Sequence, residues 1–262
     1  MTQSSFDRVT LAGHGKVAVI TLDHPPTINA LSSTLAGGLE AALEAVLGGG
    51  FRALVLTGAG RGFCSGADMK ELPGRREEGA GRVLERLYHP LFRTLRDLPM
   101  PVVTAINGPA VGIGMSLALM GDLILAARSA YFLLSFARIG LVPDGGLTWL
   151  LPRAIGVTRA RELALLAEPL PAEKALEWGL INRVYDDGAL MGEAMKLAHE
   201  LANGPTVALS LIRQLYWESP DNSFEEQLNL EFKSQRVAGG AEDFREGVTA
   251  FLEKRTAKFK GK

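Results

Sequence analysis

Two short runs carry the residue types that could act on a carbonyl group. The first is Gly60-Arg-Gly-Phe-Cys-Ser65-Gly-Ala-Asp68-Met-Lys-Glu71, and the second is Asn107-Gly-Pro-Ala-Val-Gly112-Ile113-Gly114. Each follows an apolar run that reads as a strand and opens a segment that reads as a helix. Helix starts present unpaired N–H groups and the positive end of the helix dipole. Two such amides aimed at one oxygen make an oxyanion hole. Gly62 and Gly66 let the first run bend, so amides near Ser65 can face a cavity. Asp68 and Glu71 have the spacing of a capping box. The alternative is two ordinary glycine turns, and spacing alone does not choose between them.

Other chemistries fail on residue type or spacing. His14, His24, His89 and His199 are scattered, and none has a second ligand at zinc spacing. Gly58-Ala-Gly60-Arg-Gly62 misplaces the third glycine of a dinucleotide fingerprint, and no phosphate-loop lysine is present. Gly114-Met-Ser116-Leu-Ala118 imitates a nucleophile elbow, but its second glycine is alanine and no histidine follows where a triad needs one. The 262 residues carry a net charge of −1, so no basic field draws the chain to nucleic acid or an anionic membrane. The one cysteine, Cys64, cannot form an internal disulfide, which fits a reducing cytoplasm. The N-terminus lacks the apolar core of a signal peptide. The uncharged stretch 98–121 contains Pro99, Pro101, Asn107 and Pro109, so it reads as strand, loop and helix rather than a membrane span.

The elements that must position these runs follow from hydrophobic periodicity. Apolar runs at 17–22, 53–57, 102–106, 123–126 and 131–134 read as strands, and His24-Pro-Pro-Thr-Ile28 as a turn or extended loop. Ser32 or Ser33 can cap a helix running through Val46, with Leu35, Leu39, Ala42, Leu43 and Val46 on one face. Further helices are expected at 82–98 and 113–120, and the chain reads as nearly all helix from Thr158 onward, jointed at Pro171 and Gly204-Pro205. The last helix is expected over 242–258, with Phe244, Val248, Phe251 and Leu252 on one face. Lys254, Arg255, Lys258, Lys260 and Lys262 near its end read as a cationic complement to the helix terminus or as partners of a ligand phosphate. The class is α/β, with parallel strands buried under helices, followed by a helical tail.

The two loops, in this order and separation, resemble the crotonase superfamily, also called the enoyl-CoA hydratase/isomerase family. The resemblance spans essentially the whole chain. It starts at Ile28-Asn29-Ala30-Leu31, continues through Leu163-Ala-Leu-Leu166 and Glu177-Trp-Gly-Leu180, and finishes in Phe244-Arg-Glu-Gly-Val-Thr-Ala-Phe251-Leu-Glu-Lys-Arg255. It implies a crotonase-like spiral of ββα units over residues 1–200 and a helical trimerisation region over 201–262. It implies an acyl-CoA thioester substrate, with coenzyme A carried by the substrate and no separate cofactor or metal. It implies a homotrimer or a dimer of trimers, without nucleic acid or membrane as partner. The family's oxyanion amides map onto Ser65 and Ile113, flanked by Gly112 and Gly114. Its coenzyme A cradle maps onto Ser65, Gly66, Ala67 and Asp68, with Thr27 and Ile28 near the adenine and pantetheine. Phe251 and Lys254 are the candidates for closing a neighbouring subunit's site.

The resemblance also separates the reactions. Hydratases of the family use two glutamates, and those positions fall on Ser116 and Phe136, neither of which transfers a proton as a carboxylate does. Asp144, in Val142-Pro-Asp-Gly-Gly146, reads from sequence as a turn residue. In the family, that position is where isomerases place a single carboxylate. The run 135–152 resembles the active-site segment of the ring-epoxide isomerases of phenylacetate degradation, a branch of the family. The expectation is therefore an acyl-CoA isomerase with Asp144 as its catalytic residue and Phe136, with Leu141, as an apolar wall. The alternatives are a hydratase, a dehalogenase-like enzyme that would need Trp where Phe136 stands, and a non-catalytic relative binding coenzyme A esters or RNA. Arg75 and Arg76 read as a solvated charge pair or as phosphate contacts.

Overall fold

The computed structural model describes residues 2–71 and 79–262. The expected alternatives for Arg75 and Arg76 fall outside them. The chain opens with three strands, β1 (Thr2–Phe6), β2 (Val9–His14) and β3 (Val17–Leu22), followed by α1 (Ser33–Gly48) and β4 (Ala53–Gly58). Next come α2 (Gly79–Val83), a π-helical turn at Leu84–Tyr88, α3 (His89–Asp97), β5 (Val102–Ile106), β6 (Ala110–Val111) and α4 (Ile113–Ala118). After these lie β7 (Leu123–Ala127), β8 (Tyr131–Leu133), α5 (Leu147–Ile155), α6 (Val157–Leu166), β9 (Leu170–Pro171), α7 (Ala172–Glu177) and β10 (Arg183–Tyr185). Four helices finish the chain: α8 (Leu190–Asn203), α9 (Thr206–Glu218), α10 (Phe224–Gly240) and α11 (Glu242–Leu252).

Seven strands form one sheet in the order β1-β2-β3-β4-β5-β7-β10, antiparallel up to β3 and parallel beyond it. The parallel strands are continuous apolar runs because both faces are covered: every residue of β5, and all of β4 but Gly58, is buried. Helix α8 packs across β3, β4, β5 and β7. A second sheet, in the order β6-β8-β9, carries the segments beside the two glycine-rich loops. The uncharged stretch 98–121 is strand, loop and helix, as its prolines require. Among the described residues no helix is long and apolar enough to cross a membrane.

Several elements differ from expectation for local reasons. Ser32 is the cap of α1, its hydroxyl accepting the Leu35 N–H at 3.1 Å. The single helix expected at 82–98 is interrupted by the π turn. Pro90 lacks an N–H and its ring crowds the carbonyl four residues back, and a widened turn relieves this. Strand β10 lies in the stretch expected to be helical. It extends the main sheet by pairing with β7. The last helix stops at Leu252 rather than continuing to 258, because Lys254 turns left-handed (φ 55°) and the tail folds back. Glu246 accepts the Lys258 N–H at 2.7 Å and holds Arg255, while the Asp243 carboxylate accepts the amides of Lys260 and Gly261 at 2.6 and 2.7 Å. Arg255 thus pairs with Glu246 of α11 and with Glu253 just beyond the helix.

Candidate active site

The two loops leave adjacent parallel strands, β4 and β5, and are zipped together. The amides of Phe63 and Cys64 donate to the Pro109 carbonyl at 3.1 and 3.0 Å, and the Val111 amide donates to the Cys64 carbonyl at 2.9 Å. Gly66 adopts φ 103°, and a Cβ there would stand 3.0 Å from the Val111 carbonyl oxygen. At Gly114 a Cβ would stand 2.4 Å from the Cys64 carbonyl oxygen, so only glycine lets α4 start this close to the first loop. Packing against Cys64 therefore accounts for Gly114 without a ligand. Burial pushes the Cys64 thiol up to about 11, the signature of an inert core cysteine.

The amides sort themselves by their partners. The Ser65 N–H donates to the Ile28 carbonyl at 2.9 Å, and its hydroxyl donates to the Thr27 carbonyl at 2.7 Å. Ser65 is thus bonded to the 27–28 segment through both groups, and its amide is not an oxyanion donor, contrary to expectation. An amide without a protein acceptor among the described residues lies two residues on, at Ala67. The Gly66 carbonyl accepts from the Leu31 N–H at 2.7 Å. In a trans peptide the C=O and the following N–H point opposite ways, so this bond aims the Ala67 N–H away from Leu31. Among the described residues the Ala67 N–H has no acceptor. The Gly112 carbonyl accepts from Met115 and Ser116 within the first turn of α4, which likewise turns the Ile113 N–H out of the helix start. Gly66 lies within 3.9 Å of the Cβ position of Gly112, so the peptide units bearing these two amides are neighbours.

Thr27 and Ile28 stand beside Ser65, shaped by the left-handed backbone of Ile28 and Asn29 (φ 52° and 55°). Asp68 does not open a capping box. Its carboxylate accepts the Lys70 N–H at 3.0 Å in a turn, and Glu71 instead reaches Ser33, at the start of α1. Phe136 is buried with its ring 3.8 Å from the Cβ position of Gly112, forming an apolar wall over the second loop. Leu141 is exposed and adds nothing to that wall within one chain. Phe251 and Lys254 are also exposed, at the end of α11, and one chain does not bury them against the loops.

Asp144 fits the turn reading and exceeds it. Its carbonyl accepts from Leu147 N–H and from the Ser116 hydroxyl, each at 3.1 Å, and Gly145 and Gly146 supply the positive φ of the turn. Its carboxyl is unusual for a turn residue, because Oδ1 is fully buried and has no hydrogen-bond partner. Burial raises the Asp144 pKa to about 6. Gly145 rests on Ser116: a Cβ at 145 would stand 2.7 Å from the Ser116 Cβ and Oγ. A cavity of about 370 Å³, lined in part by Phe92, Met120 and Trp149, adjoins Gly145 and Gly146. Among the described residues no group of three or more His, Cys, Asp or Glu side chains could hold a metal ion.

Asn29 is a residue whose role the sequence did not suggest. It is fully buried, its side-chain NH₂ donates to the carbonyls of Ala59, Gly62 and Phe63, and its Oδ1 accepts the His24 N–H at 2.8 Å. It ties the 24–30 turn to the first loop. The available signal is a lone amide side chain inside the apolar run Ile28-Asn-Ala-Leu31.

Comparison with known proteins agrees with this architecture. Residues 12–262 match the family model described as enoyl-CoA hydratase/isomerase. The chain is 46% identical to the 1,2-epoxyphenylacetyl-CoA isomerase of Escherichia coli K12, covering 94% of this chain and 95% of that one. It is 32% identical to the short-chain-enoyl-CoA hydratase of Clostridium acetobutylicum, covering 95% and 96%. The crystal structure of an enoyl-CoA hydratase from Bacillus anthracis superposes with a TM-score of 0.92 at 32% identity, covering 97% of this chain and all of that one. With the crotonase fold, the α/β core and its helical tail, the chain belongs to the enoyl-CoA hydratase/isomerase family.

Proposed function

We propose that this protein is an acyl-CoA isomerase in which Asp144 is the single proton carrier. The observation that carries this reading is the Asp144 carboxyl, with one oxygen sealed from water and unpartnered. No second carboxylate supplements it at Ser116 or Phe136. Hydration needs one group to activate water and another to handle the α-carbon proton, whereas a 1,3-proton shift needs one base used twice.

In the proposed reaction the Asp144 carboxylate takes a proton from one carbon of the acyl chain. The C–H electron pair moves into a new double bond, and the negative charge comes to rest on the thioester oxygen. The Ala67 and Ile113 amides hydrogen-bond that oxygen, each worth about 3 kcal/mol in such a role. Asp144 then returns the proton to another carbon, and the charge flows back. Phe136 keeps water from the enolate. The residues at 65–68 with Thr27 and Ile28 cradle the coenzyme A portion. The E. coli relative supports a ring-bearing acyl group as the substrate class. The reading includes a cytoplasmic setting and assembly of several copies through α9–α11, with Phe251 and Lys254 of one copy closing the site of another.

The test offers the protein 3-enoyl-CoA and 2-enoyl-CoA in D₂O. The expected result is double-bond migration with deuterium uptake, little hydration, and near-total loss of turnover in Asp144→Asn. Because the base must be ionised, kcat should rise with pH through a limb near 6. The raised pKa also means that ionised Asp144 lowers stability as pH climbs from about 4 to above 6. Asp144→Asn should therefore raise Tm at pH 8 and leave it unchanged at pH 4. Vigorous hydration that survives the substitution would overturn the isomerase reading. Tight binding of the ester without exchange or turnover would favour a non-catalytic relative.

A further inference from the structure

We infer that Glu71 and Tyr88 are positioning residues that set the aim of the Ala67 amide by gripping the backbone of Leu31 and its neighbours. The inference rests on the oxyanion reading above and identifies what fixes one of its two donors. The Gly66–Ala67 peptide is oriented by the bond from the Leu31 N–H to the Gly66 carbonyl, at 2.7 Å. Leu31 and Ala67 form an isolated parallel bridge outside either sheet, so no flanking ladder of strand bonds steadies them. The register of Leu31 against Ala67 must therefore be maintained by other contacts.

Two buried or half-buried side chains supply them. The Tyr88 hydroxyl, at the end of the π turn, donates to the Leu31 carbonyl at 2.7 Å from within the core. The Glu71 carboxylate accepts the Ser33 N–H at 2.8 Å. Ser33 is the first residue of α1, where an amide has no helical partner and the dipole favours a negative charge. Glu71 thereby fastens the end of the 65–71 loop to a sixteen-residue helix. The Ser65 bonds to residues 27 and 28 fasten its start. The Ala67 amide sits between these two anchorages. A small rotation of its peptide would cost catalysis heavily, since oxyanion donors act only over a narrow range of distance and angle.

The experiment compares the wild-type protein with Glu71→Ala, Glu71→Gln and Tyr88→Phe. Turnover is measured with an enoyl-CoA. The carbonyl infrared band is measured for bound hexanoyl-CoA labelled with ¹³C at the thioester carbon, a saturated ester that reports polarisation without reacting. Glu71→Ala should lower kcat about tenfold with KM within twofold, and shift the bound carbonyl band toward its position in free ester. Tyr88→Phe should act in the same direction. Glu71→Gln keeps an acceptor for the Ser33 N–H and should restore most of the kcat and the band shift. Wild-type kcat and band position in both Glu71→Ala and Tyr88→Phe would overturn the inference, as would a lower Tm accompanied by an unmoved band. If Glu71→Ala does not fold, Tyr88→Phe decides the matter by the same band. An unshifted carbonyl in the wild-type protein would overturn the oxyanion reading, and the inference with it.

Discussion

The glycine-rich loops and the C-terminal helices manage their surfaces in opposite ways. Around residues 27–33, 59–68 and 107–114, backbone groups are paired across loops, and Asn29, Ser65 and Glu71 supply side-chain partners. The Ala67 and Ile113 amides there have no protein acceptor among the described residues. Helices α9 to α11 instead display Tyr216, Phe224, Phe232 and Phe251, each more than 60% exposed. One region knits its loops together within a single chain. The other leaves aromatic surface of the kind that marks a protein contact. Under the proposed assembly the two deficits are linked, because the helix bearing Phe251 would meet another copy's loops.

Three substitutions press on this contrast. The largest effect is expected from Ile113→Pro. Proline is tolerated at the first position of a helix, so α4 should persist while one donor disappears. The expected loss in kcat is about 10² to 10³-fold, with a lower Tm from the lost buried side chain. An unchanged kcat would mean that the loop amides are not a matched pair. Next comes Phe232→Glu, on the exposed face of α10. Sedimentation should report smaller particles than the wild-type protein gives, and kcat should fall with them if a neighbour completes the site. A species of the same size before and after would confine the aromatic face to some other role. The smallest effect is expected from Ser116→Ala, which removes the hydroxyl that holds the Asp144 carbonyl. A loosened turn admits water to the carboxyl, so the acid limb should move below pH 6 and kcat fall less than tenfold. A pH profile superimposable on that of the wild-type protein would remove Ser116 from the support of Asp144.

The parallel strands were legible because burial on both faces leaves apolar runs such as Leu54-Val-Leu and Val102-Val-Thr-Ala-Ile106. Strand β2 was not, since Val9-Thr-Leu-Ala-Gly-His14 is interrupted by small and polar residues and is defined by its pairing with β3. Strand β10 is three residues long and begins with Arg183, so its place depends on β7 rather than on its own pattern. Within the candidate site, the Asp144 motif reads as a turn, and only the family resemblance pointed to Asp144 and Ile113. Ser65 was misassigned as a donor because a motif gives residue types and not the directions of peptide planes. Only the bonds to Ile28 and Leu31 show which amide faces inward and which faces out. The end of α11 was overestimated for a related reason. Its lysines and arginine favour helix, and the carboxylates that pull the tail back lie a dozen or more residues away.

The contact between Gly145 and Ser116 has an evolutionary consequence. With the turn packed against that buried serine, residues 116 and 145 share one space, and added volume at either is felt by the other. A glutamate arising at 116 would press on the 142–146 turn that carries Asp144. Under the proposed isomerase reading, a route between the two activities would therefore run through paired changes at 116 and 145 rather than through one position.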